Sequence, residues 1–402
     1  FGRLQFELDL SDTLTLTSVT GLLNMEAIDF DAYSYGGFFP GPNGTRLPGG
    51  AGASDPINKL EQYSQELRLA SDFDGAFNFM LGAFYEDRTF IFDTSQQGVN
   101  ISFLGPDPVT GFTYDWDKRH VTKTEAVSLF GSLIFDITED LELVAGARWT
   151  TEDKVQTIAV PYLHTFLQGP VFVAPGFFSG PIPFADDNFS PEVTLKYQAN
   201  DDFNVFASFK TGFKSGGFNP GNNTIPVFDS EVIDAYELGI KNTFLDGKGR
   251  LNLAFFNYDY SNLIVGNLVG TAVANTNIPK SRVRGLEAEL VYTPVDPLRL
   301  EASLGLLDAT VRSDFLSSDP ARGSARFPLQ GNQLPNAPRR TLKLAAEYTI
   351  DAGDDWTVRP RIDFYSQSGF HSREFNVPAD RVGSFANQRP AHQRHHGCWC
   401  AR

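Results

Sequence analysis

The stretch Leu298-Arg299-Leu300-Glu301-Ala302-Ser303-Leu304-Gly305-Leu306 decides the fold. In an extended strand, side chains two residues apart share a face. Leu298, Leu300, Ala302, Leu304 and Leu306 therefore form one apolar face, and Arg299, Glu301, Ser303 and Gly305 form the opposite one. A helix would need apolar residues at i, i+3, i+4 and i+7, and the stretch does not have them. Just upstream lies a tight turn, Thr293-Pro294-Val295-Asp296-Pro297. Downstream, Leu342, Leu344, Ala346, Tyr348 and Ile350 again alternate with Thr341, Lys343, Ala345, Glu347 and Thr349.

The pattern continues in both directions. Leu4, Phe6, Leu8 and Leu10 oppose Arg3, Gln5, Glu7 and Asp9, and Leu141, Leu143, Ala145, Ala147 and Trp149 oppose Glu142, Gly146, Arg148 and Thr150. About 14 such segments lie between Leu4 and Phe370, several of them about 10–14 residues long. Strands of soluble domains are usually about 5–6 residues, whereas about 9–11 tilted residues cross a bilayer. Short turns such as Asp72-Phe73-Asp74-Gly75 and Leu245-Asp246-Gly247-Lys248-Gly249-Arg250 join every second pair. The remaining pairs are joined by stretches rich in Gly, Pro, Asn and aromatics, such as residues 24–59 and 154–187, which read as long loops. Small turns at one rim and large loops at the other are the grammar of a transmembrane barrel. The fold class expected is all-β: an antiparallel up-and-down transmembrane β-barrel with short periplasmic turns and long extracellular loops.

Composition agrees with this reading. The chain has 402 residues and a formal charge of −16, which argues against a nucleic-acid partner. Aromatics make up 13 % of it, and a membrane barrel can place them in two interfacial girdles. No apolar run approaches the roughly 18–20 residues of a membrane-spanning helix. Both cysteines, Cys398 and Cys400, lie at the end and leave the body of the chain without a disulfide framework. Alternation stops near residue 386, so residues 1–385 read as barrel and 386–402 as an atypical tail foreign to it. The tail holds His392, His395, His396, Cys398 and Cys400, all competent zinc or copper ligands, but no ordered scaffold flanks them.

The sequence contains no nucleophile elbow, no HExxH, no phosphate-binding loop and no dinucleotide fingerprint. No enzyme activity, cofactor or metal site is expected. Charges on the polar faces, including Arg148, Glu192, Lys196, Lys210, Glu237, Lys241, Glu287, Glu289, Glu301, Arg359, Arg361 and Asp363, read as the lining of a lumen. Acidic pairs such as Asp186-Asp187 read as solvated loop. The candidate ligand contacts are loop aromatics: Tyr33, Tyr35, Phe38 and Phe39 in one long loop, Phe177 and Phe178 in another.

Five stretches resemble the barrel domain of TonB-dependent outer-membrane receptors. They are Tyr63-Ser64-Gln65-Glu66-Leu67-Arg68-Leu69, the run from Val205 through Thr211-Gly212-Phe213-Lys214-Ser215-Gly216-Gly217-Phe218, Tyr236-Glu237-Leu238-Gly239-Ile240-Lys241, Arg284-Gly285-Leu286-Glu287-Ala288-Glu289 and Asn336-Ala337-Pro338-Arg339. The resemblance implies a 22-stranded barrel filled by an N-terminal plug, in the outer membrane of a Gram-negative bacterium. It also implies TonB-dependent active uptake of a scarce ligand, most often a ferric siderophore, energised by the TonB-ExbB-ExbD system. About 14 strands with no plug or TonB-contacting segment read as part of such a receptor. A passive outer-membrane porin is the alternative within the same fold, and a soluble secreted carbohydrate-binding β protein is the alternative outside it.

Overall fold

The computed structural model describes residues 1–376 apart from 29–30, 35–38, 41–45, 48–50, 55, 100–105, 113–115, 166–176, 220–225, 270–271, 320–324 and 354. Fourteen strands form one meander. They are β1 (Gly2–Ser11), β2 (Leu14–Ile28), β3 (Ile57–Ser71), β4 (Phe77–Val99), β5 (Trp116–Thr138), β6 (Leu141–Leu163), β7 (Phe177–Asn200), β8 (Phe203–Lys214), β9 (Glu231–Phe244), β10 (Gly249–Val269), β11 (Ala272–Val295), β12 (Leu298–Val311), β13 (Arg340–Tyr348) and β14 (Arg361–Gln367). Each is antiparallel to the strands before and after it. Among the described residues β1 and β14 have a neighbour on one side only, so this sheet is open.

Residues paired directly across an antiparallel ladder share a face, so the register joins the apolar faces of separate strands into one surface. One row runs Leu238–Phe255–Leu286–Leu306 through β9 to β12. Another runs Leu133–Ala145–Val193–Phe209 through β5 to β8. This face lies open: Leu4 is 54 % exposed, Phe6 61 % and Leu8 58 %. Removing such a side chain from water stabilises by roughly 1.5–3 kcal/mol, and lipid is the solvent that can cover fourteen strands at once. Aromatic residues bound the band at both margins. Phe77, Phe135, Tyr197, Tyr292 and Tyr348 lie toward the short turns, with Phe77 directly opposite Phe135. Tyr63 and Tyr85 (6.3 Å) and Phe209 and Tyr236 (5.0 Å) lie toward the other rim.

The short-turn rim matches the sequence reading. In Leu245-Asp246-Gly247 all three residues have positive φ (55°, 55° and 83°), and Lys248 N–H donates to the Leu245 carbonyl at 3.1 Å. The other rim corrects it. Residues 154–163 and 177–187 are strand, with Lys154 opposite Phe184 and Gln156 opposite Ile182. Asp186 and Asp187 are therefore ladder residues of β7, not loop. Only two residues separate β10 from β11, whose hairpin is built in place of a long loop. β4, β5 and β6 have 23 residues each and β7 has 24. At about 3.3 Å per residue such strands reach roughly 75 Å, more than twice the roughly 30 Å hydrocarbon core. They project as ribbons beyond the membrane.

On the opposite face, three phenylalanines lie over glycines directly across the ladder: Phe130 on Gly82, Phe206 on Gly239 and Phe256 on Gly285. A Cβ at Gly239 would meet the Phe206 ring at 2.1 Å, and one at Gly82 would meet Phe130 at 2.2 Å. The glycines let the rings lie flat against the wall and keep the interior wide. Gly239→Ala should destabilise the folded barrel by about 1–3 kcal/mol, read from urea unfolding in lipid vesicles. Adding Phe206→Ala should recover most of that loss.

Candidate functional site: the polar wall and its extracellular rim

The face opposite the apolar band is charged along its length. Arg88 lies 3.7 Å from Glu86 and 3.9 Å from Glu152, and Lys154 lies 3.3 Å from Glu152. Arg148 sits over the Phe130 ring (5.0 Å) and the Phe84 ring (5.5 Å) and donates to Ser128 Oγ at 2.9 Å. Farther round, Lys210 pairs with Glu192 at 3.5 Å, Tyr258 donates its hydroxyl to Glu237, and Arg361 bridges Glu301 (2.8 Å) and Glu347 (3.6 Å). Such a wall is suited to a polar filling, either water or another polar domain. It cannot be an apolar core, because charges placed there without solvent or partners would carry a large desolvation cost.

The connection between β8 and β9 bends inward and is tied to walls on both sides. Lys154 Nζ donates to Ser215 Oγ and to the Gly216 carbonyl, each at 2.7 Å. Asp186 accepts from Gly216 N–H (3.5 Å) and from the Ser230 hydroxyl (3.4 Å). Phe218 packs edge-on against Phe184 at 6.1 Å. Toward β11, Asn219 Nδ2 donates to the Asn275 carbonyl (2.8 Å) and Asn219 Oδ1 accepts from Asn275 N–H (2.7 Å), a side chain imitating a ladder rung. The connection after β12 also folds back. Leu329 and Leu334 join Ile278, Ala309, Val311 and Phe375 in a small buried core.

A third clamp centres on Asp107, between β4 and β5. Its buried carboxylate accepts from Val109 N–H (2.8 Å), Thr110 N–H (3.2 Å), Thr165 N–H (3.0 Å) and the Tyr162 hydroxyl (2.9 Å). Burial alone would raise this carboxyl; the donors outweigh it and hold it far below the ordinary carboxylate range. This clamp locks the connection onto the end of β6. Nearby, His120 is buried and stacked on Phe92 at 5.8 Å, and neither ring nitrogen finds a hydrogen bond among the described residues. Burial, with Lys118 close by, pushes its pKa down to about 4.

Four of the candidate aromatics fall on described strands. Tyr33 lies in the short strand Asp31–Ser34, paired with Ala51–Ser54, and Phe39 lies in Phe39–Pro40, paired with Arg46–Leu47. Phe177 and Phe178 open β7 instead of sitting in a loop, with Phe178 opposite Ala159. Tyr35, Phe38 and the tail 386–402 lie outside the described residues. The clamp residues Asp107, Lys154, Asn219 and Asn275 carried no distinguishing signal in the sequence, because each acts through a partner about 55–62 positions away. No group of three or more His, Cys, Asp or Glu side chains suited to a metal occurs among the described residues.

An apolar band facing outward, a charged wall facing inward and ordered connections folded over one rim define an outer-membrane barrel receptor. Comparison with known proteins gives the family: "TonB dependent receptor-like, beta-barrel" matches residues 1–390, and the chain belongs to it. This is a family of outer-membrane transport receptors, not of enzymes. The "Probable TonB-dependent siderophore receptor PiuA" of Acinetobacter baumannii is 24 % identical over 389 residues, covering 88 % of this chain and 50 % of that protein. The metal-pseudopaline receptor CntO of Pseudomonas aeruginosa is 27 % identical over 165 residues, covering 41 % of this chain and 21 % of that one. Among solved structures, the ferric yersiniabactin uptake receptor FyuA of Yersinia pestis superposes with a TM-score of 0.67 at 16 % identity, over 92 % of this chain and 50 % of its own. The siderophore receptor PiuA of A. baumannii gives 0.62 at 18 % identity, over 90 % and 54 %. The chain spans about half the length of the first of these relatives.

Two outcomes follow from the rim. Asp107→Ala should free its connection and speed hydrogen exchange at Thr165 by about ten-fold or more, since each lost buried partner costs roughly 1–3 kcal/mol. His120, held neutral below its ordinary value, contributes stability that is present above about pH 6.5 and lost as pH falls toward 4. Exchange protection around β5 should therefore weaken between those pH values, and His120→Phe should flatten the dependence.

Proposed function

We propose that this chain forms barrel wall of a receptor that takes up a ferric siderophore across the outer membrane, driven by the TonB-ExbB-ExbD system. The observation that carries the reading is the combination of a charged inner wall with three connections folded and clamped at the extracellular rim. A passive pore needs an open mouth, whereas a receptor needs an ordered surface over its mouth on which a bulky solute can be held. Membership of the receptor family supports this reading, as do siderophore receptors among the relatives.

The ligand in this reading is a small iron–siderophore complex gripped between rim connections. Tyr33, Tyr35, Phe38, Phe39, Phe177 and Phe178 are the aromatic candidates for contact, since ring faces offer a large, stiff contact area at low entropic cost. Outer-membrane lipid surrounds the wall.

Uptake of radiolabelled ferric siderophores by iron-starved cells tests the proposal. Cells expressing the receptor should accumulate label above a deletion strain, and a protonophore should abolish the difference. Uptake that is unaffected by the protonophore, together with large steady conductance in a planar bilayer, would replace the proposal with a passive porin.

A further inference from the structure

Immediately above the apolar band, the outer face changes character from one sector to the next. On β11 to β13 the last apolar row contains Leu286 and Leu306, and Arg340 completes it. One register step higher on the same face Arg284 stands opposite Asp308, and the next step places Arg282 opposite Thr310. Arg312 reaches back to Asp308 at 3.6 Å. Arg284 is 57 % exposed, Arg312 42 % and Arg282 39 %, and Arg340 is also exposed. Among the described residues Asp308 and Asp259 pair with Arg284 (3.0 Å) and Arg282 (2.7 Å), and Asp234 stands opposite Asp259, so four arginines face three acids on a chain of formal charge −16.

On the strands to one side, the rim is of opposite sign. Asp87 stands opposite Glu125, and Glu125 opposite Asp153, on three successive strands. Asp187 and Asp234 continue the acidic series on β7 and β9. Like charges facing each other across a ladder are unfavourable, and together they repel an anion, although Lys123 stands one step higher on β5.

We propose that the arginines Arg282, Arg284, Arg312 and Arg340 form a docking surface for the phosphate-bearing headgroup of an outer-leaflet lipid. Position selects this occupant. The patch continues directly from the lipid-covered face, so a molecule whose acyl chains lie on Leu286, Leu306 and Leu342 carries its headgroup to the arginines. Chemistry selects the phosphate, because guanidinium forks match phosphate oxygens two at a time and are weakly enough hydrated to exchange water for them. Anionic headgroups gather at basic patches of this kind on membrane proteins. The acidic sector on β4 to β9 would keep the headgroup from spreading to that side of the patch.

The test uses the full chain in phosphatidylcholine nanodiscs doped with bisphosphorylated lipid A. Lipid retained after gentle detergent extraction is counted by native mass spectrometry. The wild type should retain lipid A over phosphatidylcholine by at least about five-fold, a preference that falls with added salt. R282Q/R284Q/R312Q/R340Q should remove the preference, the singles R284Q and R340Q should each reduce it, and the all-lysine replacement of the four should keep most of it. Asp87→Asn, in the acidic sector, should not lower it. Heat-modifiable gel migration reports folding of each variant, and the singles carry the test if the quadruple variant does not fold. An undiminished preference in the folded glutamine variants, or no preference in the wild type, would overturn the proposal.

Discussion

Hydrocarbon offers no partner for a peptide N–H or C=O, and this one constraint organises the whole structure. A strand placed in lipid must find every backbone hydrogen bond on its neighbours, so the chain has to run as an uninterrupted meander. Fourteen strands obey that rule, each antiparallel to the next. The edge strands β1 and β14 each present one side without a partner among the described residues, and in hydrocarbon such a side calls for a neighbouring strand. Above the membrane the constraint lapses. There β7 is paired with β6 alone from Phe177 to Pro191, and β10 and β11 continue as a hairpin with no further neighbour at most positions.

Once the ladder is fixed, the period of two separates lipid from lumen, and everything functional follows from that separation. Side chains facing outward need only be apolar between the two aromatic margins. Side chains facing inward can then carry charge, because they meet water or another polar surface. The glycine–phenylalanine pairs show the same economy, since a flat ring covers bare backbone without narrowing the interior. The inward-folded connections are held by buried polar contacts at Asp107, at Lys154 with Asp186, and at Asn219 with Asn275. Such contacts keep one geometry because breaking them strands a buried donor or acceptor. An ordered rim of this kind suits the holding of a large solute better than its free passage.

The membrane-embedded part of the fold was legible in the sequence because one constraint acts there on every residue. Leu304 in the opening stretch alternates with charged and small neighbours, and the ladder sets it opposite Leu342 on the next strand. Residues 154–187 were not legible. Pro161, Pro181 and Pro183 suit a loop, but Pro161 falls at the irregularity between Ala159 and Tyr162 in the β5–β6 ladder, while Pro181 and Pro183 lie where β7 has a ladder partner on one side only, so a missing N–H can face the open side. The clamps were invisible for a different reason. A lone Asp, Lys or Asn says nothing about a partner some 60 residues away, and only the register brings the two together. Phe177 and Phe178 belong to the same Gly- and Pro-rich stretch, which suits a long loop, and only the register places them at the start of β7.

The central claim is that one set of alternate residues faces lipid while the intervening set faces a polar interior. Nitroxide labels on single cysteines placed successively from Ala302 to Leu306 test it most directly, with Cys398 and Cys400 replaced by serine and the protein reconstituted in vesicles. Collisional relaxation by oxygen, which partitions into lipid, should be strong at 302, 304 and 306. Relaxation by a water-soluble nickel chelate should be strong at 303 and 305. Uniform nickel accessibility at all five positions, or the opposite alternation, would contradict the account.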